Sequence, residues 1–342
     1  MLYIGLDVHK SFTSMGSLDP ATGEISDLGQ VITDSQELIA ALSQLPDPKV
    51  VVLEAGRKSW WVAATLEPHA DQVWVVDPLE VRRLQSRQPK TDRRDAAALA
   101  RWAAKGALTP LWRPDARTMD LRELTRGRLA LVRMACRVRN MIRSLCARHG
   151  KELPNGDLLG TTLQEQLRRL QLPASAGALL AALLELLPML QQFADRFQAP
   201  LQQAATTDPQ AQRLLSLPGV GEVLALTMAV EIGQIARFPT PAQLRSYSGL
   251  CPRISRSATR NHTGPLTKAG NRWLRYGVML AAQQVPRAHY PDRRLKRLYQ
   301  RVAFSHGRNP AKVACARALL DLIHHLLTNQ EDYQLTNRRL AA

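Results

Sequence analysis

Two short apolar runs, each closing on a carboxylate, constrain this chain most. Tyr3, Ile4, Leu6 and Val8 make a buried-strand pattern with Asp7 inside it. Lys49-Val-Val-Val-Leu-Glu-Ala-Gly56 is a second such strand, ending at Glu54. A carboxylate among buried side chains is costly unless a cation or a donor meets it. An Asp at a strand end can also serve a neighbouring turn, so either acid taken alone has a purely structural reading. Asp92 and Asp95, in Lys90-Thr-Asp-Arg-Arg-Asp-Ala96, stand three apart at the start of an Ala-rich helix and face the same way. Singly, they could cap that helix and favour its first turn. As a set with Asp7 and Glu54, four carboxylates at one sheet edge repel strongly unless divalent ions neutralise them. Oxygen-rich sites of this kind suit Mg²⁺ or Mn²⁺, and two such ions clamp both sides of a phosphoryl displacement.

The order of elements around these acids sets the fold class. After the Asp7 strand, Phe12–Leu18 and Asp27–Thr33 read as two further strands joined by the turn Asp19-Pro-Ala-Thr-Gly23. A helix capped by Ser35, the Glu54 strand, a helix through Trp60, Trp61 and Leu66, and the strand Gln72–Val76 follow. Asp77 is a fifth acidic candidate, though before Pro78 it reads better as serving the turn, and a helix carrying Arg82, Arg83 and Arg87 leads to Asp92. Three strands followed by alternating helix and strand predict a ribonuclease-H-like (RuvC-like) α/β domain over residues 1–108.

Residues 111–114 read as a linker, and the rest as mostly helical. From Asp115 to His149, Leu124, Leu131, Val138 and Leu145 recur every seven residues, with Leu121, Ala135 and Ile142 at the other seam position and Arg128 interrupting it. That predicts a coiled-coil or helical-hairpin region over 115–205, in which a second helical stretch, Thr161 to about Ala205, packs back on the first. Arg122, Arg126, Arg128, Arg133, Arg137, Arg139, Arg143 and Arg148 stud the first helix. A solvated flank would look similar. The whole chain, however, has 46 Lys and Arg against 29 Asp and Glu, a formal charge of +17, and so large an excess points to a polyanion.

A third region spans 209–330. Leu217-Pro-Gly-Val-Gly221 followed by an apolar helix is a helix-hairpin-helix pattern, in which amides near Gly219 and Gly221 can hold a phosphate. Residues 251–264 form a long polar, basic loop with Arg253, Arg256 and Arg260. Helix resumes from Thr267 with Lys268, Arg272 and Arg275 placed for phosphates, a basic tail runs from Asp292 to Asn309, and Ala311–Leu327 closes the chain as an amphipathic helix. Cys136, Cys146, Cys251 and Cys315 lack disulfide or metal spacing and read as reduced thiols of a cytosolic protein. No run reads as apolar enough to span a bilayer, and the N-terminus enters a strand rather than a signal peptide.

These residues resemble a known family. Gly5-Leu-Asp7, Glu54 and Lys90-Thr-Asp92-Arg-Arg-Asp95 match the DEDD pattern of the IS-one-ten type of insertion-sequence transposases, relatives of the Piv-type DNA invertases. Leu217-Pro-Gly-Val-Gly, Glu231-Ile-Gly, Arg237-Phe, Tyr247-Ser-Gly-Leu and Lys268-Ala-Gly-Asn-Arg resemble their C-terminal transposase domain. The resemblance implies a bacterial, nucleoid-associated DNA recombinase that joins a RuvC-like metal site to a serine nucleophile and is guided by a structured bridge RNA pairing with donor and target DNA. Counting back fourteen residues from Asn271 gives Ser257 as that serine. The usual Ser-Gly-Gly is Ser257-Ala-Thr here, and Ser255 lies two residues before it. Arg253, Arg256 and Arg260 would neutralise phosphate charge, and His262 could shuttle a proton.

Recombination holds two duplexes, so a homodimer or homotetramer is expected, with one chain's serine serving another's acidic site. Two other readings stand beside this one. A metal-dependent nuclease or Holliday-junction resolvase would use water as nucleophile, and a non-catalytic nucleic-acid scaffold would need neither site.

Overall fold

The computed structural model describes residues 1–84, 92–154, 156–257 and 260–334, the side chains of 92–94 and 254–263 excepted. The described chain forms two compact units, Met1–Arg113 and Pro114–Ala342.

The first unit is a mixed sheet with helices on both faces. Strands β1 (Leu2–Val8), β2 (Phe12–Leu18) and β3 (Ile25–Ile32) form an antiparallel meander. Helix α1 (Ser35–Ser43) then crosses to β4 (Lys49–Glu54), which lies parallel to β1. Helix α2 (Ser59–Leu66) crosses to β5 (Gln72–Val76), parallel to β4, giving the order β3-β2-β1-β4-β5. Helices α3 (Pro78–Leu84) and α4 (Asp92–Ala104) follow.

Side-chain alternation divides the sheet into two cores. Ile4, Leu6, Val51 and Leu53 pack with Leu38, Leu42, Val62 and Leu66 of α1 and α2. Val50, Val52 and Val76 pack on the other face with Val81, Leu99 and Ala103 of α3 and α4. This arrangement fits the α/β domain expected. One detail differs: Asp34, not Ser35, caps α1, its side chain accepting from the Gln36 amide.

The second unit is almost wholly helical. Asp115 caps α5 (Ala116–Arg148), its side chain accepting from the Thr118 amide, which holds that carboxyl below its ordinary value. Helices α6 (Thr161–Arg168), α7 (Ala174–Arg196), α8 (Gln198–Thr207), α9 (Pro209–Leu215), α10 (Glu222–Ile232) and α11 (Pro241–Ser248) follow. Then come strands β6 (Pro252–Ser257) and β7 (Arg260–Leu266), and helices α12 (Arg272–Ala282), α13 (Arg293–His306) and α14 (Arg308–Asn329).

Hydrogen bonds from Arg117 to Thr207 and from Arg139 to Gln191 run α5 antiparallel to the α7–α8 stretch. The two halves of α5 meet different neighbours. Ala135, Val138, Ile142 and Leu145 pack against Leu180, Leu183, Leu184, Leu187 and Leu190. In the proximal half Leu121 joins a different core, with Leu226, Leu274 and Leu319 of α10, α12 and α14. There Leu129 and Thr125 are buried, while the expected seam residues Leu124 and Leu131 are only partly so.

Three expectations are corrected. Residues 252–257 and 260–266 are not loop but two paired strands, because Pro252 to Ser257 pair antiparallel with Leu266 to Arg260. Residues 267–270 are not yet helix: Lys268 has φ 52° and Gly270 φ 121°, and Asn271 caps α12. The apolar stretch Ala174–Thr207, by length and composition alone, is long and apolar enough to cross a membrane. Its Leu and Ala content is set by a helix that supplies a whole core face, Leu180 to Leu190, and a third of its most apolar window is buried within the fold.

Candidate active site

In the first unit, alternation along β1 sets Gly5 and Asp7 on the α4 face with Tyr3, which packs into that core. The same alternation along β4 sets Glu54 on that face with Val50 and Val52. Leu6 is the parallel partner of Leu53, so Asp7 and Glu54 occupy adjacent strand ends. Gly5 explains how α4 can lie here. A Cβ at Gly5 would run into the Ala96 carbonyl oxygen, and one at Gly16 would come within 2.7 Å of the Ala97 nitrogen. Because Ala96 lies over Gly5 while Ala103 joins the core beside Val50, α4 runs away from the Asp7 end. Its first turn, with Asp95, therefore stands at the end of the sheet where Asp7 and Glu54 emerge. Asp92 begins α4, but its side chain lies outside the described residues. Among the described residues no three His, Cys, Asp or Glu side chains close around a common point.

His9 is a neighbour that no sequence signal singled out. Its Nε2 lies 3.1 Å from Asp7 Oδ2, and its ring packs on Phe12 at 4.8 Å. An ionised carboxylate only accepts, so Nε2 carries the hydrogen in this pair.

In the second unit, Ser257 takes the last position of β6 and pairs with Arg260, the first of β7. Ser255 pairs with His262 and Arg256 with Asn261, while the side chains from 254 to 263, Ser257 included, lie outside the described residues. Arg253 is exposed at the hairpin base, and Lys268 and Arg272 are exposed beyond it. In the turn after α9, Gly219 has φ 80°, and a Cβ there would meet Gln284 Cγ at 2.8 Å. Tyr290 Oη donates to the Pro218 carbonyl at 3.3 Å, so this turn is braced from behind while Gly221 stays exposed.

Asn271, which follows the hairpin and caps α12, joins a buried ionic network that sequence reading missed. Glu231 on α10 is 0 % exposed. Arg126 of α5 donates to both its carboxylate oxygens, at 2.6 and 2.8 Å, and Asn271 Nδ2 donates to Oε2 at 2.7 Å. Arg122 donates to the Val230 and Glu231 carbonyls, and burial pushes its pKa down against the opposing pull of Glu231. Asn271 also donates to Tyr247 Oη at 3.0 Å while its Oδ1 caps α12. Arg126 and Arg272 both lie near the Trp273 ring, at 5.8 and 4.6 Å.

This network alters the reading of the α5 arginines. Arg122 and Arg126 serve the core, Arg139 donates to Gln191, and Arg143 donates to the carbonyls of Pro154 and Gly156. Arg133, Arg137 and Arg148 are exposed.

Comparison with known proteins matches both units. Residues 4–149 fit a family model of DEDD transposases of IS110 type, and residues 211–300 fit the transposase family IS116/IS110/IS902. The y4qE protein of Sinorhizobium fredii, which carries a transposase name, is 28% identical over 80% of this chain and 69% of its own length. The transposase for insertion sequence element IS1111A of Coxiella burnetii is 28% identical over 72% of this chain and 68% of its own. The transposase for insertion sequence element IS1328 of Yersinia enterocolitica is 25% identical over 79% and 80%.

Proposed function

This chain belongs to the IS110-type transposases, and from that premise we propose that it is an RNA-guided DNA recombinase with an acidic metal site and a serine nucleophile. The observation that carries the reading is the gathering of Asp7, Glu54 and Asp95 from β1, β4 and α4 to one end of the sheet. With Asp92 they would make an all-oxygen donor set of the kind that suits Mg²⁺ or Mn²⁺. A divalent ion held there supplies charge neutralisation at the scissile phosphate.

Ser257, at the tip of the β6–β7 hairpin, is the attacking group. Its Oγ forms a bond to phosphorus as the bond to a deoxyribose oxygen breaks. The serine proton passes to a base, the leaving oxygen gains a proton, and the covalent serine–DNA link keeps the phosphodiester for rejoining. Arg253, Arg256, Arg260, Lys268 and Arg272 steady the phosphates, and the turn at Gly219 and Gly221 holds a backbone further along. Exposed Arg133 and Arg137, with Arg143 beside them, form part of the guide-RNA surface on α5.

An exposed stripe on α7 supports an oligomer. Leu179, Leu186, Met189 and Phe193, with Ala182, follow three- and four-residue steps along a strip of α7 beside its buried seam. That is a second heptad face, suited to pairing with a second copy.

Two substitutions decide among the readings. Asp7→Asn should abolish metal-dependent strand exchange with the fold intact, and a scaffold would be indifferent to it. Ser257→Ala should abolish cleavage, and a resolvase using water would keep cutting. Mixing the two variants restores single-strand cleavage if sites are shared between subunits. Sequencing of co-purified nucleic acid identifies the guide, and Arg→Glu changes at Arg133, Arg137 and Arg143 should weaken its retention.

A further inference from the structure

The α13–α14 hairpin carries a surface that neither the metal site nor the serine explains. From Arg293 to Leu320 the chain has six arginines, two lysines and no Asp or Glu. The core side of α13 is Leu295, with Leu298 and Tyr299 packed against it. At 100° per residue, Arg293, Arg297, Gln300, Arg301 and Phe304 fall within one arc of about 100° on the opposite side, and all five are exposed.

Phe304 is the anomaly. It is 97 % exposed, while the next most exposed large apolar residue among those described, Ile32, is 64 % exposed. A side chain of that size left in water forfeits the transfer free energy that burial returns. It also cannot settle back by a loop adjustment, because α13 ends and α14 begins on the same residue, Gly307, with φ 89°. Few side chains tolerate that backbone conformation. The other end of α13 is pinned as well. Asp292 caps it, accepting from the Arg294 and Leu295 amides at 2.7 and 3.0 Å, and Tyr333 Oη donates to the same carboxylate at 2.5 Å. A rigid helical tip thus presents one bare aromatic ring at the end of an arginine row free of acids.

Charge complementarity selects a polyanion, and the ring selects a polyanion with an aromatic face to offer. We propose that this hairpin is a strand-separating wedge for DNA, with Phe304 stacking on a base left unpaired at a fork and Arg293, Arg297, Arg301 and Arg308 holding the flanking phosphates. An unpaired base offers a π-face that a closed duplex hides, and stacking of this kind tolerates any sequence. The choice of DNA rests on the DNA partner that the transposase family implies, and the unpaired base rests on the RNA-guided reading proposed above, in which a strand of the duplex is opened. It does not depend on the serine.

The test uses the full chain and three synthetic probes: a forked DNA with 5-iododeoxyuridine in its unpaired arm, the fully paired duplex, and an RNA fork of the same sequence. Phe304→Ala should weaken binding of the DNA fork about 5- to 150-fold, with the paired duplex almost unchanged. Phe304→Trp should restore it. Irradiation should cross-link the fork to the tryptic peptide Val302–Arg308 in the unsubstituted protein. Replacing Arg293, Arg297 and Arg301 by Glu should weaken fork and duplex alike and flatten the salt dependence.

Equal fork binding by Phe304→Ala, a cross-link elsewhere, or a loss confined to the RNA fork would each overturn the wedge. So would a change in molar mass with Phe304→Ala, which would mark the ring as a subunit contact. If Asp7→Asn stops cleavage while Phe304→Ala binds forks normally, the catalytic reading stands and this one fails.

Discussion

Removing the Glu231 carboxylate should cost more than any other single charge change in the second unit. Glu231→Ala leaves Arg126 and the Asn271 amide without this acceptor, and removes the carboxylate 3.7 Å from Arg122, whose side chain is 11 % exposed. Breaking one side of a buried pair costs about 3–5 kcal/mol. Arg126 keeps a 36 % exposed side chain and can turn to water, so the lower end, about 3 kcal/mol, is expected. Glu231→Gln retains the volume and one acceptor and should cost about 1.5–3 kcal/mol through lost charge-assisted hydrogen bonds.

The double change Glu231→Leu with Arg126→Met removes both charges and should cost less than Glu231→Ala. Trp273 is the sole tryptophan of residues 114–342 and lies beside Arg126. Incorporated 5-fluorotryptophan therefore reports unfolding of this unit through one ¹⁹F resonance. With a urea slope of roughly 2–3 kcal/mol per M, Glu231→Ala should lower the midpoint by about 1–1.5 M. A loss below about 1 kcal/mol, or strict additivity of the two positions in the double-mutant cycle, would refute the idea that this network holds the unit together.

Other expectations are simpler to check. Gly5→Ala should push α4 off the sheet at a cost of about 1–3 kcal/mol, and metal-dependent cleavage should fall further than thermal stability because Asp95 moves. Leu186→Glu with Phe193→Glu should lower the molar mass in light scattering while the circular dichroism of the chain is kept; an unchanged mass would remove α7 as the subunit contact. Cys315 is buried and its thiol is pushed up to about 11, chiefly by desolvation, and burial raises Cys146 too. Both should resist a thiol reagent at pH 8 that labels exposed Cys136 within minutes.

The first unit was legible because its signals are local. Val50 to Leu53 announce a strand buried on both faces, and the glycines of β1 and β2 sit where Ala96 and Ala97 come close. The acids at the strand ends could be read for the same reason, whereas His9 could not, since a single histidine after a strand carries no periodic signal. In the second unit the informative pairings are distant in the chain. Glu231 meets Arg126 across 105 residues, and in sequence it is one acid in an apolar helix facing a run of apparently solvated arginines. The β6–β7 hairpin went unread because its residues are polar and basic, with little apolar alternation to announce a strand. The α5 heptads misled in their first half, where the helix meets several helices instead of one.

That division of α5 has a consequence for how the molecule breathes. A single helix of about 50 Å, at roughly 1.5 Å per residue, is held by two separate sets of neighbours. Its distal half packs on α7, with Leu158 and Leu167 completing that core, and its proximal half on the α10–α12–α14 core. Hydrogen exchange should therefore not fade evenly from one end. Amides from Ala135 to Cys146 should open together with those of α7 as one cooperative piece, and those from Leu121 to Leu129 should exchange only with the larger core. The step between the two rates, in mid-helix and far from any break in the backbone, would mark where the distal arm can melt and reform while the rest of the unit stays folded.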